Sequence, residues 1–335
     1  MFEAAHGNVV PLEVVRRDVT AILAEHAHQA GQFSVLGPDP WQVIMNAKRS
    51  GFIAFLEARR AIVSWRSPVG IDAETRAALL RDLKNHAERS NKALYVLEVD
   101  QATADAGVDD SMIALQIGFE AYLDLASWSL RGKRREKVRL AMNFAARHGV
   151  SWREAHPQSA DADALGLEAV ERLWKAERKE RKVDSFLRTS WSELMASRRY
   201  FVAEHDGRIV ASISCSPVSS SGWYLQDPVR EPSALRGALE GAMALSLDTF
   251  RDEGYQVASN GPLPFWSPTG ETKQEYQLGF LGNRLVSVFD HRYRFAGINQ
   301  FRSKFEPDWI EPAVVLRSRR ALSPGKIASL IKLVS

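Results

Sequence analysis

Residues 122–149, YLDLASWSLRGKRREKVRLAMNFAARHG, contain a mostly apolar segment followed by a strongly basic one. The alternation of apolar and polar residues from Tyr122 to Leu130 predicts a half-buried strand, and Gly132 interrupts it. Residues 133–148 predict a helix that ends at Gly149. Four residues recur at helical spacing and predict its buried face: Val138, Ala141, Met142 and Ala145. We therefore expect an amphipathic helix directly after a strand.

The start of this helix is crowded with cations: Arg131, Lys133, Arg134, Arg135 and Lys137. The positive end of the helix dipole lies there, so each cation costs roughly a few tenths of a kcal/mol. A helix start with clustered Arg and Lys is suited to binding phosphate groups. The pattern indicates either a polyanion site or a solvated basic surface without a ligand. The phosphate contacts that it predicts are Lys133, Arg135, Arg139 and Arg147.

The composition is that of a globular protein whose basic charge is local. The 335 residues are 45% hydrophobic and 25% charged with a net charge of +3, yet residues 131–153 hold eight Lys/Arg against one acid. Such a surface suits nucleic acid or phospholipid headgroups. No run approaches the roughly 20 apolar residues of a membrane span, and the first residues do not resemble a signal peptide. We expect a cytoplasmic protein, either free in solution or associated with a membrane surface.

The sequence does not predict a metal or a cofactor. Cys215 is the single cysteine, which excludes an internal disulfide and a cysteine-rich zinc site. Its neighbours, SISCSPV, predict a buried strand, so we expect a core residue and not a nucleophile.

Helical and strand patterns alternate along the chain. Helices are predicted at residues 11–30, 71–90, 111–117, 165–182, 185–197 and 233–252, with a loop and a short helix in 38–50. Strands are predicted at residues 93–99, 150–155, 222–227 and 255–259. Residues 51–70 and 198–218 each predict a hairpin, the second around Asp206-Gly207. These patterns predict an α+β or mixed α/β fold with a central, mostly antiparallel sheet flanked by helices.

The two halves of the chain show a similar order of elements, which suggests structural duplication. A polar link, HPQSADADALG at residues 156–166, separates them. The predicted domains are residues 1–155 and 156–335.

The hairpin, third strand and long helix of the second half resemble the N-acetyltransferase (GNAT) superfamily. Acetyl-CoA enzymes of that superfamily hold pyrophosphate with an R/Q-x-x-G-x-G/A loop at the start of the helix. The corresponding residues 229–240, VREPSALRGALE, include Gly237 but lack the basic residue and the second glycine at the required spacing. An acetyl-CoA-dependent N-acetyltransferase is therefore an alternative and not the leading hypothesis.

Five motifs in series resemble the catalytic domain of the phosphatidylglycerol lysyltransferases over residues 40–315. They are Leu130-x-Gly-Lys133 with Arg139, Asn143, Arg147 and Gly149; DGRIVA at 206–211; Asp227-x-x-Arg230 with Gly237 and Glu240; Asn260-Gly-Pro-Leu263; and Phe301-Arg-Ser-Lys-Phe305-x-Pro-x-Trp309. The resemblance implies tandem GNAT-like domains, with the reaction centre in the second half and at the contact between the halves. It also implies aminoacyl transfer from charged tRNA to phosphatidylglycerol or to another hydroxyl or amine acceptor, without a cofactor.

The resemblance assigns candidate roles to residues of this sequence. The catalytic candidates are Asp227, Arg230 and Glu240; the substrate-binding candidates are Asn260, Arg302 and Lys304; the candidates for tRNA phosphate are Lys133, Arg135, Arg139 and Arg147. Plain structural roles compete with these: Asp227 as a cap before Pro228, Arg230 as a partner of Glu231 or Glu240, and residues 301–305 as an edge strand with one solvated face. A non-catalytic RNA- or membrane-binding module is the remaining alternative.

Overall fold

The computed structural model describes residues 9–178, 190–192, 194–220, 222–266 and 295–334. The strands are β1 Val9–Pro11, β2 Gln42–Met45, β3 Gly51–Glu57, β4 Ala61–Trp65, β5 Val69–Gly70, β6 Ala93–Val99, β7 Met112–Asp124, β8 Ser151–Ala155, β9 Arg199–His205, β10 Arg208–Ser219, β11 Gly222–Leu225, β12 Val229–Arg230, β13 Val257–Pro264 and β14 Trp309–Ser318. The helices are α1 Leu12–His26, α2 Ala73–Arg89, α3 Gln101–Gly107, α4 Glu136–Arg147, α5 Asp161–Arg178, α6 Ala238–Asp252, α7 Phe295–Ser303 and α8 Pro324–Val334.

The strands form one continuous sheet in the order β1-β2-β3-β4-β6-β14-β7-β13-β11-β10-β9-β8, with β5 beside β3 and β12 beside β10. Among the described strands, β4 pairs with β6 and β11 with β13 in parallel, and the remaining pairs are antiparallel. A helix connects the two strands of the β11–β13 pair, as parallel neighbours require. The predicted mixed α/β class with a mostly antiparallel sheet is confirmed.

Local sequence signals account for several of these helices and strands. The β9–β10 hairpin turns at Asp206 and Gly207, whose φ angles of 51° and 71° match the left-handed pair that a tight hairpin needs. Helix α2 begins where the Asp72 carboxylate accepts a hydrogen bond from the Thr75 amide at 2.7 Å. The predicted helices near residues 12–26, 73–89 and 238–252 and the hairpin of residues 51–65 are also confirmed.

Apolar clusters lie on the sheet in both halves, and two of them contain the long helices α1 and α6. The first packs α1 against β3 and β4, with Val19, Leu23 and Val63 fully buried. The second packs α6 against the inner strands, where Trp223 and Phe250 stack with ring centroids 4.7 Å apart. Cys215 lies in this second core, and burial raises the pKa of its thiol to about 12, so the prediction of a core residue is confirmed.

Several predicted elements were wrong. Residues 112–117 form the start of the long strand β7 and not a helix, because β7 pairs with β14, which is remote in sequence. Residues 38–50 contain strand β2 and no helix. Residues 301–303 end helix α7, so Arg302 and Lys304 do not share the face of an edge strand. The predicted helix at 185–197 lies partly outside the described residues, which contain a short 3-10 turn at Met195–Ser197.

The predicted boundary at residues 155/156 stays a prediction. In the sheet, β14, which comes near the end of the chain, lies between β6 and β7 of the first half. Helix α8 then packs against β4. No helix in the described part of the chain combines the length and the apolar character that crossing a bilayer requires.

Candidate active site

The parallel strands β11 and β13 separate at their carboxyl ends. They pair only from Gly222 with Val257 to Tyr224 with Ser259. Beyond that point β11 continues into Gln226 and Asp227, while β13 continues into Asn260 and Gly261. The carboxyl ends of diverging parallel strands are a common position for ligand sites in α/β sheets. The residues around this opening are therefore the candidate site.

Buried charged and polar residues from both halves line one side of this opening. We call this group the polar seam: Arg66, Glu98, Glu120, Arg198, Tyr224, Asp227, Ser259 and Arg302. The Arg66 guanidinium lies 2.5 Å from Glu120 and 3.0 Å from Glu98 and is 1% exposed. Glu120 also accepts a hydrogen bond from the Ser259 hydroxyl at 2.6 Å. The seam thus joins the end of β4 to β7 and β13 through buried ion pairs.

The two carboxylates beside Arg66 differ in their hydrogen bonding. Glu120 is bonded on both oxygens, whereas Glu98 Oε2 and Arg66 Nη2 lie 3.0 Å apart without the alignment of a hydrogen bond. Burial raises the pKa of Glu98, with Arg66 opposing the shift and Glu120 adding to it. Burial acts to lower the pKa of Arg66, but the charges of Glu120 and Glu98 outweigh it. The pKa of Arg66 is therefore raised. Buried polar atoms without a hydrogen bond are rare, and they indicate capacity for a ligand here.

Tyr224 places a neutral phenol in the polar seam. Burial raises its pKa to about 12, while Arg302 and Arg66 act in the opposite direction. The ring is 7% exposed. Its hydroxyl makes no hydrogen bond to another described residue. A phenol of this kind is available as a hydrogen-bond donor at neutral pH.

Asp227 is held at the end of β11 by a buried ion pair. Arg198 Nη2 lies 3.0 Å from Asp227 Oδ2, and the Arg198 side chain is 0% exposed. The Ser216 hydroxyl donates to Gln226 Oε1 at 2.7 Å, and Gln226 Nε2 donates to the Ser34 hydroxyl of the first half at 3.0 Å. The predicted catalytic aspartate therefore lies at the contact between the halves, in a fixed orientation.

Arg302 and Asn260 are in contact where β13 separates from β11. Asn260 Nδ2 donates to the Arg302 carbonyl at 2.9 Å, and Asn260 Oδ1 is buried without a partner. The Arg302 guanidinium donates to the Pro262 carbonyl and lies against Gly261. A Cβ at Gly261 would be 2.5 Å from Arg302 Cζ, and the φ of 88° at this position also favours glycine. Two predicted substrate-binding residues are thus in contact.

Glu240 and Lys304 form an ion pair at the start of α6. Lys304 Nζ lies 3.0 Å from Glu240 Oε1, and Glu240 Oε2 accepts from the Gly237 amide at 3.2 Å. The carboxylate therefore occupies the helix start where an acetyl-CoA enzyme would hold pyrophosphate. A Cβ at Gly237 would lie 2.0 Å from the Ala141 carbonyl oxygen, which shows how closely α4 covers this end. Both observations weigh against acetyl-CoA.

The remaining predicted residues lie outside this cluster. Arg230 is exposed, and its nearest partner is the Ala234 carbonyl at 3.5 Å; neither Glu231 nor Glu240 pairs with it. Lys133 lies before α4 and Arg147 is its last residue, and both are exposed. Arg139 is half-buried and donates to the Leu130 carbonyl at 2.6 Å.

Arg135 does not lie on the exposed basic face that the sequence predicts. Helix α4 begins at Glu136. Arg135, directly before it, adopts a left-handed φ of 62° that turns its side chain inward. Its guanidinium is 2% exposed, lies 3.1 Å from Asp308 and covers the Trp128 ring at 4.5 Å. Internal partners therefore satisfy this cation, and a contact with external phosphate does not fit its position.

Sequence reasoning missed most of the polar seam. It did not single out Arg66, Glu98, Glu120, Arg198, Tyr224 or Ser259. The available signal was a charged residue inside or directly after an apolar strand, as with Glu120 in FEAYLDL and Arg66 after AIVSW. No group of metal-binding side chains occurs among the residues that the structure describes.

Comparison with known proteins gives the family. The model of the family "Phosphatidylglycerol lysyltransferase, C-terminal" matches residues 23–316, so the chain belongs to that family. Phosphatidylglycerol lysyltransferases of Bacillus subtilis and Staphylococcus aureus (strain MRSA252) are 21% and 23% identical over 82% and 87% of this chain. The chain spans about a third of their length, 32% and 35% respectively.

Solved structures share the fold. L-PGS from Bacillus licheniformis superposes with a TM-score of 0.76 at 18% identity and covers 95% of both chains. A C-terminal domain from Agrobacterium fabrum, assigned to a lysylphosphatidylglycerol synthetase, gives 0.78 at 19% identity over 95% of this chain and 96% of that one. FemX gives 0.56 at 9% identity over 90% of this chain and 95% of that one.

Proposed function

We propose that this chain transfers an aminoacyl group from a charged tRNA to phosphatidylglycerol, with the reaction in the polar seam. The observation that carries the proposal is the group of buried, incompletely bonded polar atoms where β11 and β13 separate, in a chain of the phosphatidylglycerol lysyltransferase family. The aminoacyl ester of tRNA is already activated, so a covalent enzyme intermediate is not required. The site needs only to orient the donor, accept a proton and stabilise an oxyanion.

The seam offers a group for each of these tasks. Asp227, fixed by Arg198, orients the α-ammonium of the donor. Glu98, whose pKa is raised by burial, accepts the proton from the glycerol hydroxyl of the acceptor. Tyr224 donates a hydrogen bond to the oxyanion that forms when this hydroxyl attacks the ester carbonyl. The ester bond then breaks, and the tRNA 3′ oxygen leaves with the proton that Glu98 took from the acceptor.

The other candidates have supporting roles in this proposal. Arg302, itself a member of the seam, holds the phosphodiester of the acceptor. Asn260 positions Arg302 through its backbone, and Glu240 with Lys304 fixes the start of α6. Arg230, exposed on β12, contacts a phosphate at the 3′ end of the donor, and Lys133, Arg139 and Arg147 supply basic charge for phosphates of the donor or of the lipid. The chain would act at a membrane surface from the cytoplasmic side, where charged tRNA occurs.

A direct transfer assay tests the proposal. The protein is incubated with radiolabelled aminoacyl-tRNAs and phosphatidylglycerol, and the lipid is extracted and separated. We expect label in the lipid fraction and none when phosphatidylcholine replaces phosphatidylglycerol. Label that stays on tRNA in every incubation, together with acetylation of an amine when acetyl-CoA is supplied, would instead identify an N-acetyltransferase.

A further inference from the structure

Two large apolar side chains lie exposed on α4, which carries three cations and one acid. Leu140 is 52% exposed and Phe144 is 43% exposed, and both belong to α4. Residues four apart lie above one another on a helix, so the two side chains form one small apolar surface. The ring of His148 packs on Phe144 with centroids 4.2 Å apart, which supports the aromatic side chain in its exposed position.

Cations flank this apolar pair on both sides. At roughly 100° per residue, Lys137 falls on one side of Leu140 and Phe144, and Arg147 falls on the other. Both are exposed, and neither has an acidic partner in the described ranges. The single acid of α4, Glu136, lies 3.8 Å from Arg139. The outer face of α4 thus presents Leu140 and Phe144 between Lys137 and Arg147, with Glu136, 53% exposed, one turn before Leu140.

We propose that this face, defined by Lys137, Leu140, Phe144 and Arg147, docks on an anionic phospholipid bilayer. Leu140 and Phe144 enter the headgroup region, and the two cations contact lipid phosphates. Apolar residues between Lys and Arg on one helix face are the arrangement of helices that lie on membrane surfaces. RNA phosphates would be served by the cations alone and give no reason for an exposed Leu beside them. The inference deepens the proposed function and rests on its lipid acceptor.

The opposite face of α4 makes this docking surface rigid. Val138, Ala141 and Ala145 are buried, and α4 packs against α6. Because α6 begins at the candidate active site, a bilayer held on α4 has a fixed relation to that site. The docking face therefore serves to present lipid headgroups to the enzyme without any change in the fold.

Vesicle sedimentation tests the inference without any reaction. The chain is mixed with vesicles of equal parts phosphatidylglycerol and phosphatidylcholine, or of phosphatidylcholine alone. We expect Leu140→Ser with Phe144→Ser to weaken binding to the anionic vesicles about ten-fold. Lys137→Gln with Arg147→Gln should weaken it by about five-fold per cation. The matched control, Val14→Ser with Leu165→Ser, removes two side chains that are 74% and 71% exposed elsewhere and should leave binding unchanged.

A Phe144→Trp variant gives an independent reading that does not depend on loss of binding. Its fluorescence, taken as a difference from the wild type because the chain holds nine Trp, should shift to the blue with anionic vesicles. Unchanged vesicle binding in the Leu140/Phe144 variant, or no shift, would overturn the inference. So would a loss of tRNA binding in the Lys137/Arg147 variant with vesicle binding intact, which would make this an RNA surface. Transfer to detergent-dispersed phosphatidylglycerol should survive in the Leu140/Phe144 variant, so a failure of docking is distinguishable from a failure of the proposed reaction.

Discussion

Asp227 and Asp308 are two carboxylates in similar surroundings with different expected roles. Each pairs with an arginine that is buried, Asp227 with Arg198 at 3.0 Å and Asp308 with Arg135 at 3.1 Å. Only Asp227 lies at the opening between β11 and β13. A role in the reaction and a role in the fold are therefore separable by comparing the two positions.

Asp227→Asn should lower transfer by about one to two decades, because it removes the charge that orients the ammonium of the donor. Asp308→Asn should cost at least as much stability, since Asp308 pairs with Arg134 as well as with the buried Arg135, but should leave transfer close to wild type. The measurement is single-turnover transfer at a temperature where circular dichroism shows both variants folded. Equal activity in the two variants would make Asp227 a structural residue.

Part of this site was predictable from the sequence. Asp227, Asn260, Glu240, Arg302 and Lys304 belong to motifs that are continuous in the chain, and the structure brings Asn260 to Arg302 and Glu240 to Lys304. The buried ion pair of Glu120 with Arg66 joins residues 54 positions apart. No local pattern reports which strands become neighbours, so these partners were not predictable.

At the level of elements, the close contact between α4 and α6 depends on one glycine. Gly237 has a φ of 100°, and a Cβ there would meet the Ala141 carbonyl oxygen at 2.0 Å. Because the atoms that this Cβ would meet belong to the backbone of α4, they cannot move aside without shifting the helix. Gly254, with a φ of 89° and open space around it, provides a matched comparison.

Gly254→Ala should cost roughly 1–2 kcal/mol, the penalty of a left-handed alanine. Gly237→Ala carries the same penalty plus the clash, and we expect at least twice that loss in the free energy of unfolding from urea titration. We also expect it to reduce transfer, because the start of α6 moves relative to Lys304. Equal losses in the two variants would contradict this account of the α4–α6 contact.

The predicted elements that succeeded carry local signals, and those that failed depend on distant partners. The β9–β10 hairpin follows from Asp206-Gly207, and α2 from its aspartate cap. Residues 112–117 show an apolar spacing compatible with a helix, but the β14 strand imposes an extended conformation on them. The start of α4 was misplaced for a related reason, since Arg135 turns inward to reach Asp308.

At the scale of the whole molecule, Arg66 connects the two halves. It follows β4 and pairs with Glu120 on β7, which in turn binds Ser259 on β13. Removing one partner of a buried ion pair leaves uncompensated charge in the interior. The exposed pair of Arg49 with Asp18, whose side chains are 66% and 36% exposed, lacks that penalty.

Arg66→Met should therefore lower the free energy of unfolding by about 3–5 kcal/mol. Arg49→Met should lower it by less than about 1 kcal/mol. Both arginines have a positive φ, 67° and 51°, so the backbone cost of the substitution is matched. Burial raises the pKa of Glu98, so protonation at low pH should relieve part of the loss in Arg66→Met, and urea titrations at acid and neutral pH measure this. A loss that is independent of pH would contradict the proposed coupling of Arg66 to Glu98.

The most direct test of the central claim, that the polar seam carries out aminoacyl transfer, is removal of the Tyr224 hydroxyl. Because this hydroxyl has no hydrogen-bond partner among the described residues, Tyr224→Phe should leave stability unchanged. Tyr255→Phe, which alters a partly buried tyrosine of the second core, is the matched control. In single-turnover transfer from labelled aminoacyl-tRNA to phosphatidylglycerol, we predict a loss of about a hundred-fold for Tyr224→Phe and none for Tyr255→Phe. A wild-type rate for Tyr224→Phe would contradict the account.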